Sequence, residues 1–162
     1  MIRIRDMQSA DTVEIFAIAD MQLGKNYITI DDLSVCNVIV AEDVVLQKSV
    51  GFCLSYVGQR GDAYVRTVAV NPDYSGRGIG TDLVAKSVEY LKCSGAKKIM
   101  SPLWKHDGIV NSEVIFRRNG FVPVHEIPDY WLKDSIEKGY SCPVCGKGCH
   151  CTCVMYELTM DN

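Results

Sequence analysis

Between residues 65 and 83 the chain reads VRTVAVNPDYSGRGIGTDL. This stretch constrains the fold more than any other. The β-branched run from Val65 to Val70 reads as a strand. It leaves through Asn71-Pro72 into a turn holding Gly76, Gly78 and Gly80. An amphipathic helix follows at once: Ile79, Leu83, Val84, Val88 and Leu91 share one face, and Gly95 ends the pattern. Glycines remove side chains where the backbone turns tightly or approaches a ligand. The first N–H groups of such a helix have no intrahelical partner, and its dipole favours an anion there. Arg77 adds positive charge, so a pyrophosphate fits; a tight turn with no ligand is the other reading. A P-loop is excluded, because no Lys-Ser or Lys-Thr follows the glycines. The spacing G-x-G-x-G also departs from the dinucleotide fingerprint G-x-G-x-x-G.

The rest of the chain alternates strands and helices. Ile2 to Arg5 is a strand. A helix follows, capped at Ser9 or Asp11, with Val13, Ile15, Phe16, Ala19 and Leu23 as its apolar stripe and Gly24 as its stop. VCNVIVAED and SVGFCLSYVG are strands around a turn near Val44 to Lys48, and DAYVRTVAV is the next. After the central helix come a short strand (KKIMSPLW), a short helix (GIVNSEVIFRRNG) and two final strands, FVPVHEI and VMYELTM. The 162 residues, 48% of them hydrophobic, suffice for one domain with a real core. The net charge of −3 gives no bulk attraction for nucleic acid. No apolar run approaches the roughly 20 residues of a membrane span. The N-terminal MIRIRDMQSAD has no apolar signal core, so a cytoplasmic protein is expected.

The glycine turn after a VAVNP strand, the amphipathic helix behind it and the later IFRRNGFVPV segment together resemble the GNAT superfamily of acetyl-CoA-dependent N-acetyltransferases. The resemblance covers Ile2 to Ile127 and resumes at Val154 to Met160. It implies an α/β (α+β) domain over 1–162, with a mixed, mostly antiparallel sheet and helices on both faces. It also implies a splayed parallel strand pair that takes the pantetheine arm. Carried over by position, Val68, Ala69 and Val70 would meet pantetheine and the acetyl carbonyl. The backbone from Ser75 through Gly76, Arg77, Gly78, Ile79 and Gly80 to Thr81 would hold the pyrophosphate.

Two positions depart from the family pattern. Ser75 stands where Gln or Arg is usual; either one side-chain contact is lost or Ser75 caps the helix. Phe116 stands where a tyrosine often protonates the departing thiolate, and the family's frequent asparagine would fall at Ile109, with Asn111 out of register. The general base is open. A neutral amine must lose a proton during attack, and the third and fourth strands carry no carboxylate. Glu42, Asp43, Asp62 and His106 are the candidates, against a solvated loop histidine as the plainer account of His106. Cys36, Cys53 and Cys93 read as small core residues.

The C-terminal third holds a second signal, SCPVCGKGCHCTCV. It lies in a connection, 128–153, of 26 residues between the last two strands. Structureless connections beyond about 12–15 residues are uncommon in compact domains. PDYWLKDSIEKG reads as a short helix ended by Gly139. CPVCGKG reads as a metal knuckle, with Cys142 and Cys145 as the firm ligand pair, Cys151 next, Cys149 and Cys153 competing for fourth place and His150 behind them. Structural zinc takes four such ligands tetrahedrally. The spacing matches neither ferredoxin pattern; free thiols or disulfides are the alternative. Tyr130, Trp131 and Tyr140 would shape acceptor recognition or pack the insertion onto the sheet.

Three functions compete on this reading. One is an N-acetyltransferase acting on a primary amine, small or protein-borne, by direct attack in a ternary complex. The second is a non-catalytic acyl-CoA- or metal-responsive binding module, and the third a redox sensor. The partners expected are acetyl-CoA and an amine, without nucleic acid or membrane. Sequence leaves the acceptor and the oligomeric state open.

Overall fold

The structure is a computed structural model describing residues 1–160. Its main sheet runs β1 (Ile2–Asp6), β2 (Asn37–Asp43), β3 (Lys48–Val57), β4 (Ala63–Val70), β5 (Lys98–His106), β10 (Thr152–Thr159) and β7 (Val122–Ile127), in that spatial order. A short β6 (Ile109–Val110) folds back on β5. Every pairing in this sheet is antiparallel except β4 with β5. A separate small hairpin, β8 (Ser141–Cys142) and β9 (Gly146–Lys147), lies in the connection before β10.

Helices cover both faces. On one, α3 (Ile79–Cys93) and α4 (Glu113–Arg118) enclose a core with Val65, Val68, Leu83, Val84, Leu91, Ile99, Phe116 and Tyr156. On the other, α1 (Thr12–Gln22) and α2 (Ile30–Val35) pack Ile15, Ile18, Ala19 and Leu33 against Val40, Phe52 and Leu54. β3 thus feeds both cores, Cys53 to one and Phe52 and Leu54 to the other, as period-two alternation requires. All five apolar residues of the α3 stripe are buried. The remaining helix, α5 (Leu132–Lys138), lies in the connection and ends at Gly139 in the left-handed conformation.

Several local expectations need correction. Val13 is exposed and Ile18 takes its place in the core, because the true face of α1 runs through Ile15, Ile18 and Ala19. Asp11 is no simple cap. Its carboxylate receives two hydrogen bonds from Arg5, one from the Ser49 hydroxyl (2.6 Å) and one from the Gln8 N–H, tying β1, α1 and β3 together. α2 is a short helix that the periodicity does not announce; Thr29 and Asp32 form a reciprocal capping box at its start. GIVNSEVIFRRNG is helical only from Glu113, since Ile109 and Val110 pair with β5. Cys53 is fully buried, but Cys36 is half-buried and Cys93 exposed, so only Cys53 is a core residue in the full sense.

Candidate functional site

β4 and β5 run parallel but pair only at their start, Ala63 with Ile99 and Tyr64 with Met100. Two features part them. The register of β4 against β3 shifts between Val65 and Thr67, leaving Arg66 as a bulge. The Ser101 hydroxyl then donates to the Val65 carbonyl (2.7 Å), taking a group the ladder would have used. Beyond this point the edge of β4 from Arg66 to Val70 has no strand partner on the β5 side, among the described residues. Pro102 sits in β5 just past the pairing. A proline is out of place in a central strand flanked on both sides, and is accommodated where one neighbour has left.

The open edge of β4 leads directly to the glycine turn. Gly76 (φ +76°) and Gly78 (φ +78°) are left-handed, and a Cβ at either would meet open space, so it is backbone conformation that selects glycine there. Gly80 has a different reason: a Cβ there would lie 2.5 Å from Ile115 Cδ1, so it sets how closely α4 approaches α3. The first intrahelical bond runs from the Asp82 N–H to the Gly78 carbonyl, which leaves the N–H groups of Ile79, Gly80 and Thr81 outside the helical ladder. The Ser75 hydroxyl donates to the Pro72 carbonyl (2.8 Å), so Ser75 does not cap α3. Arg77 lies over the Tyr74 ring, 4.8 Å from its centroid, with one N–H toward the Asp73 carbonyl.

A cleft crosses the sheet through the gap between β4 and β5. Val68, Ser112 and Phe116 line it toward α3 and α4; Tyr27, Trp131 and Tyr140 line it on the α1–α2 face. On that second face Arg66 pairs with Asp32 (2.6 Å) and lies over the Tyr27 ring. Tyr140 meets Tyr27 edge-on at 5.0 Å and donates to Asp134 (2.8 Å). A recess beside it adds Tyr56, Tyr64, Tyr130 and the Asp134 carboxylate. Burial pushes the Tyr130 phenol up to about 12; burial and the bond to Asp134 push Tyr140 up as well. These phenols are therefore neutral near pH 7 and are not resting bases.

The candidate bases fall elsewhere. Glu42 is held by Arg3 and Arg5 at the β1–β2 edge, and those hydrogen bonds keep its pKa below the usual range. Asp43 accepts from Tyr74 and from the Val45 and Leu46 N–H groups. Asp62 lies ahead of β4, and His106 ends β5 stacked on Trp104 and paired with Asp107 (3.1 Å). None of the four lines the cleft, and among its described lining residues there is no carboxylate or imidazole. Phe116 is buried and packs edge-on against Phe121 at 5.1 Å. Asn111, which sequence put out of register, does border the cleft; nothing in its spacing signalled this, because the β5–β6 turn that places it is only two residues long.

The connection folds so that Cys142, Cys145, Cys149 and Cys151 present their sulfurs within 4.8 Å of one another. Cys151 Sγ lies 3.8 Å from Cys142 Sγ and 3.5 Å from Cys145 Sγ. A tetrahedral zinc ion with Zn–S bonds of about 2.3 Å sets its sulfurs about 3.8 Å apart. The knuckle supplies the expected support: the Val144 N–H points at Cys142 Sγ (3.4 Å), and Gly146 turns left-handed behind Cys145. The Trp104 indole Nε1 is buried beside Cys151 with no oxygen or nitrogen partner among the described residues. Cys153 stands apart, fully buried in β10 and in register with Ile127 and Trp104. His150 points to Asp129 instead (3.0 Å).

Comparison with known proteins agrees with this geometry. Residues 1–107 match the acetyltransferase (GNAT) family. An uncharacterized N-acetyltransferase of Methanocaldococcus jannaschii is 35% identical over 94 residues, spanning 53% of this chain and 39% of that protein. The chain thus matches about two fifths of that relative's length. A Bacillus subtilis acetyltransferase solved with CoA superposes with a TM-score of 0.73 at 17% identity, covering 99% of this chain and 100% of that one. A GNAT family acetyltransferase from Elizabethkingia anophelis, solved with acetyl-CoA, gives 0.74 at 15% identity over 98% of both chains. At such identities the likeness establishes the fold. The family match covers about two thirds of the sequence, including the strand, glycine turn and helix described above: the chain belongs to the GNAT acetyltransferase family.

Proposed function

We propose that the protein transfers the acetyl group of acetyl-CoA to a primary amine. The observation that carries this reading is the unpaired edge of β4, Arg66 to Val70, running into the Gly76–Thr81 turn. The edge offers main-chain groups to an extended amide-bearing arm, as a missing strand would. The turn offers free N–H groups and a helix N-terminus to a diphosphate. Val68, Ala69 and Val70 then meet pantetheine and the acetyl carbonyl, and Ser75 to Thr81 the diphosphate. Structural relatives solved with CoA and with acetyl-CoA support acetyl-CoA as the ligand.

The reaction is direct attack. The neutral amine nitrogen adds to the thioester carbonyl, and main-chain N–H donors on β4 stabilise the oxyanion. The tetrahedral species collapses with cleavage of the C–S bond, giving an amide and the CoA thiolate. The amine proton leaves to water in the cleft, since none of its described lining residues is a carboxylate or an imidazole. A thiolate with a thiol pKa of about 8.5 is a competent leaving group without Phe116 being an acid. The four gathered cysteines, in this reading, hold a structural zinc ion: a closed thiolate site has no open position for activating water.

The test is CoA release from acetyl-CoA over a panel of polyamines, aminoglycosides and free-N-terminus peptides. Turnover that disappears in Gly78→Glu supports transfer. Tight acetyl-CoA binding without turnover on any amine favours the second reading, an acyl-CoA-binding module, which the absence of a base in the cleft and the Phe116 ring favour.

A further inference from the structure

Two of the four clustered cysteines, Cys142 and Cys149, also form part of the cleft wall on the α1–α2 face, beside Pro143 and Tyr140. The other two, Cys145 and Cys151, do not border it. The segment that carries the cluster has little else to hold it. Its hydrophobic cluster consists of Cys142, Cys149 and Cys151, with only Trp104 and Trp131 packed against them. No aliphatic side chain belongs to it among the described residues. Four thiols at these separations attract one another weakly, whereas a bound ion joins β8, the β9 turn and the lead into β10 into one body.

That body docks on the α1–α2 segment at two points. Gly24 (φ +110°) lies so close to Ser141 that a Cβ would collide with its carbonyl oxygen. Tyr140 contacts Tyr27 edge-on. The ring of Tyr27 is in turn covered by the Arg66 guanidinium, which comes from the bulge where β4 leaves β5. A continuous set of contacts therefore runs from the sulfurs to the point where the cleft opens. Arg66, where the open strand edge begins, is the point at which the two sides meet; the glycine turn lies beyond the far end of that edge and takes part in none of these contacts.

We propose that a metal ion bound by Cys142, Cys145, Cys149 and Cys151 holds the α1–α2 wall of the cleft in place, so that zinc loading sets the order of residues 23–28 while acetyl-CoA binding is independent of it. This rests on the structural-zinc reading above. The cluster is a shaping element and not a catalytic one.

The experiment compares zinc-loaded protein with protein stripped by a chelator under reduction. Elemental analysis gives metal content, hydrogen exchange reads each segment, and calorimetry reads acetyl-CoA. The expected result is one zinc per chain and, on stripping, exchange at least about tenfold faster in 140–151 and in 23–28. Exchange in 70–84 stays the same, and acetyl-CoA affinity stays within about twofold. Cys145→Ser, at a ligand position off the cleft wall, should lower zinc content and reproduce the pattern without stripping. Gly24→Ala should speed exchange in 140–151 with zinc retained. Protein that carries no metal when freshly purified, with 140–151 still protected, overturns the zinc reading and the proposal together. Zinc present but 23–28 unaffected by its removal overturns only the coupling. Loss of acetyl-CoA binding along with the metal also overturns the coupling, since the ion would then hold the whole domain.

Discussion

The two sides of the cleft are built from different materials. Toward α3, the cradle is main chain: an unpaired strand edge, two left-handed glycines and three free N–H groups, all seated on an aliphatic core of Val65, Leu83, Val84, Leu91 and Ile99. Toward α1 and α2, the wall is side chain: aromatic rings, one half-buried ion pair and the sulfurs of Cys142 and Cys149, with almost no aliphatic core beneath the connection. A backbone cradle suits a ligand that is always the same. A wall of side chains on a long connection can be remodelled without disturbing the cradle, which is where specificity is most cheaply varied.

If the sides are independent, changes on one should leave the other alone. The largest effect is expected from Gly78→Glu. It forces a left-handed position onto a residue that resists it and points a carboxylate at the diphosphate site. Acetyl-CoA affinity by calorimetry should fall at least about 100-fold, or about 2.7 kcal/mol, with the circular dichroism spectrum and zinc content unchanged.

Asp11→Ala acts on the frame that both sides share, and should destabilise the domain by about 3 kcal/mol in urea unfolding, by removing the acceptor of Arg5, Ser49 and the Gln8 N–H and leaving Arg5 with Glu42 alone. The pH dependence follows from the same carboxylate. Burial opposes its charge, but hydrogen bonds from Arg5, Ser49 and the Gln8 N–H hold its pKa at about 2, below the ordinary 3.8. A depressed carboxylate pKa contributes stability that is fully present above the unfolded value and is lost as pH falls through the folded one. Wild type should therefore lose stability more steeply than Asp11→Asn between about pH 4 and pH 2, measured as thermal midpoints.

Smaller effects sharpen the contrast further. Gly80→Ala should cost about 1–2 kcal/mol, because Ile115 has to rotate away from the new methyl. Thermal unfolding and acetyl-CoA titration together would show stability falling while binding changes little. Phe116→Tyr should leave CoA release equal or raised; a large loss with the fold intact would give the apolar ring an active role. Glu42→Gln is expected to leave CoA release unchanged, since Glu42 is engaged with two arginines away from the cleft.

Much of the frame was legible in the sequence because its signals are local. The glycine turn, the α3 stripe and the knuckle each declare themselves within about twenty residues. The misses share another cause. Val13 and Ile18 both fit an amphipathic α1, and only the packing of β3 decides between them. The bulge at Arg66, which opens the cleft, is a register shift against β3 and has no mark in the sequence of β4 itself. The capping box at Thr29 and Asp32 is the exception, a local signal in which Asp stands where Glu or Gln is usual. Cys149 and Cys153 could not be ranked by spacing; the pairing of β10 with β5 and β7 separates them by committing Cys153 to the sheet.

The most direct measurement is a crystal structure of the zinc-loaded protein with acetyl-CoA. The account predicts pantetheine lying along β4 from Arg66 to Val70 in the gap beside β5. The diphosphate should rest on the N–H groups of Gly76 to Thr81, and the acetyl group should face the wall formed by Tyr27, Tyr140 and Cys149. CoA bound on any other surface, or β4 and β5 paired along their full length in the bound state, would contradict it.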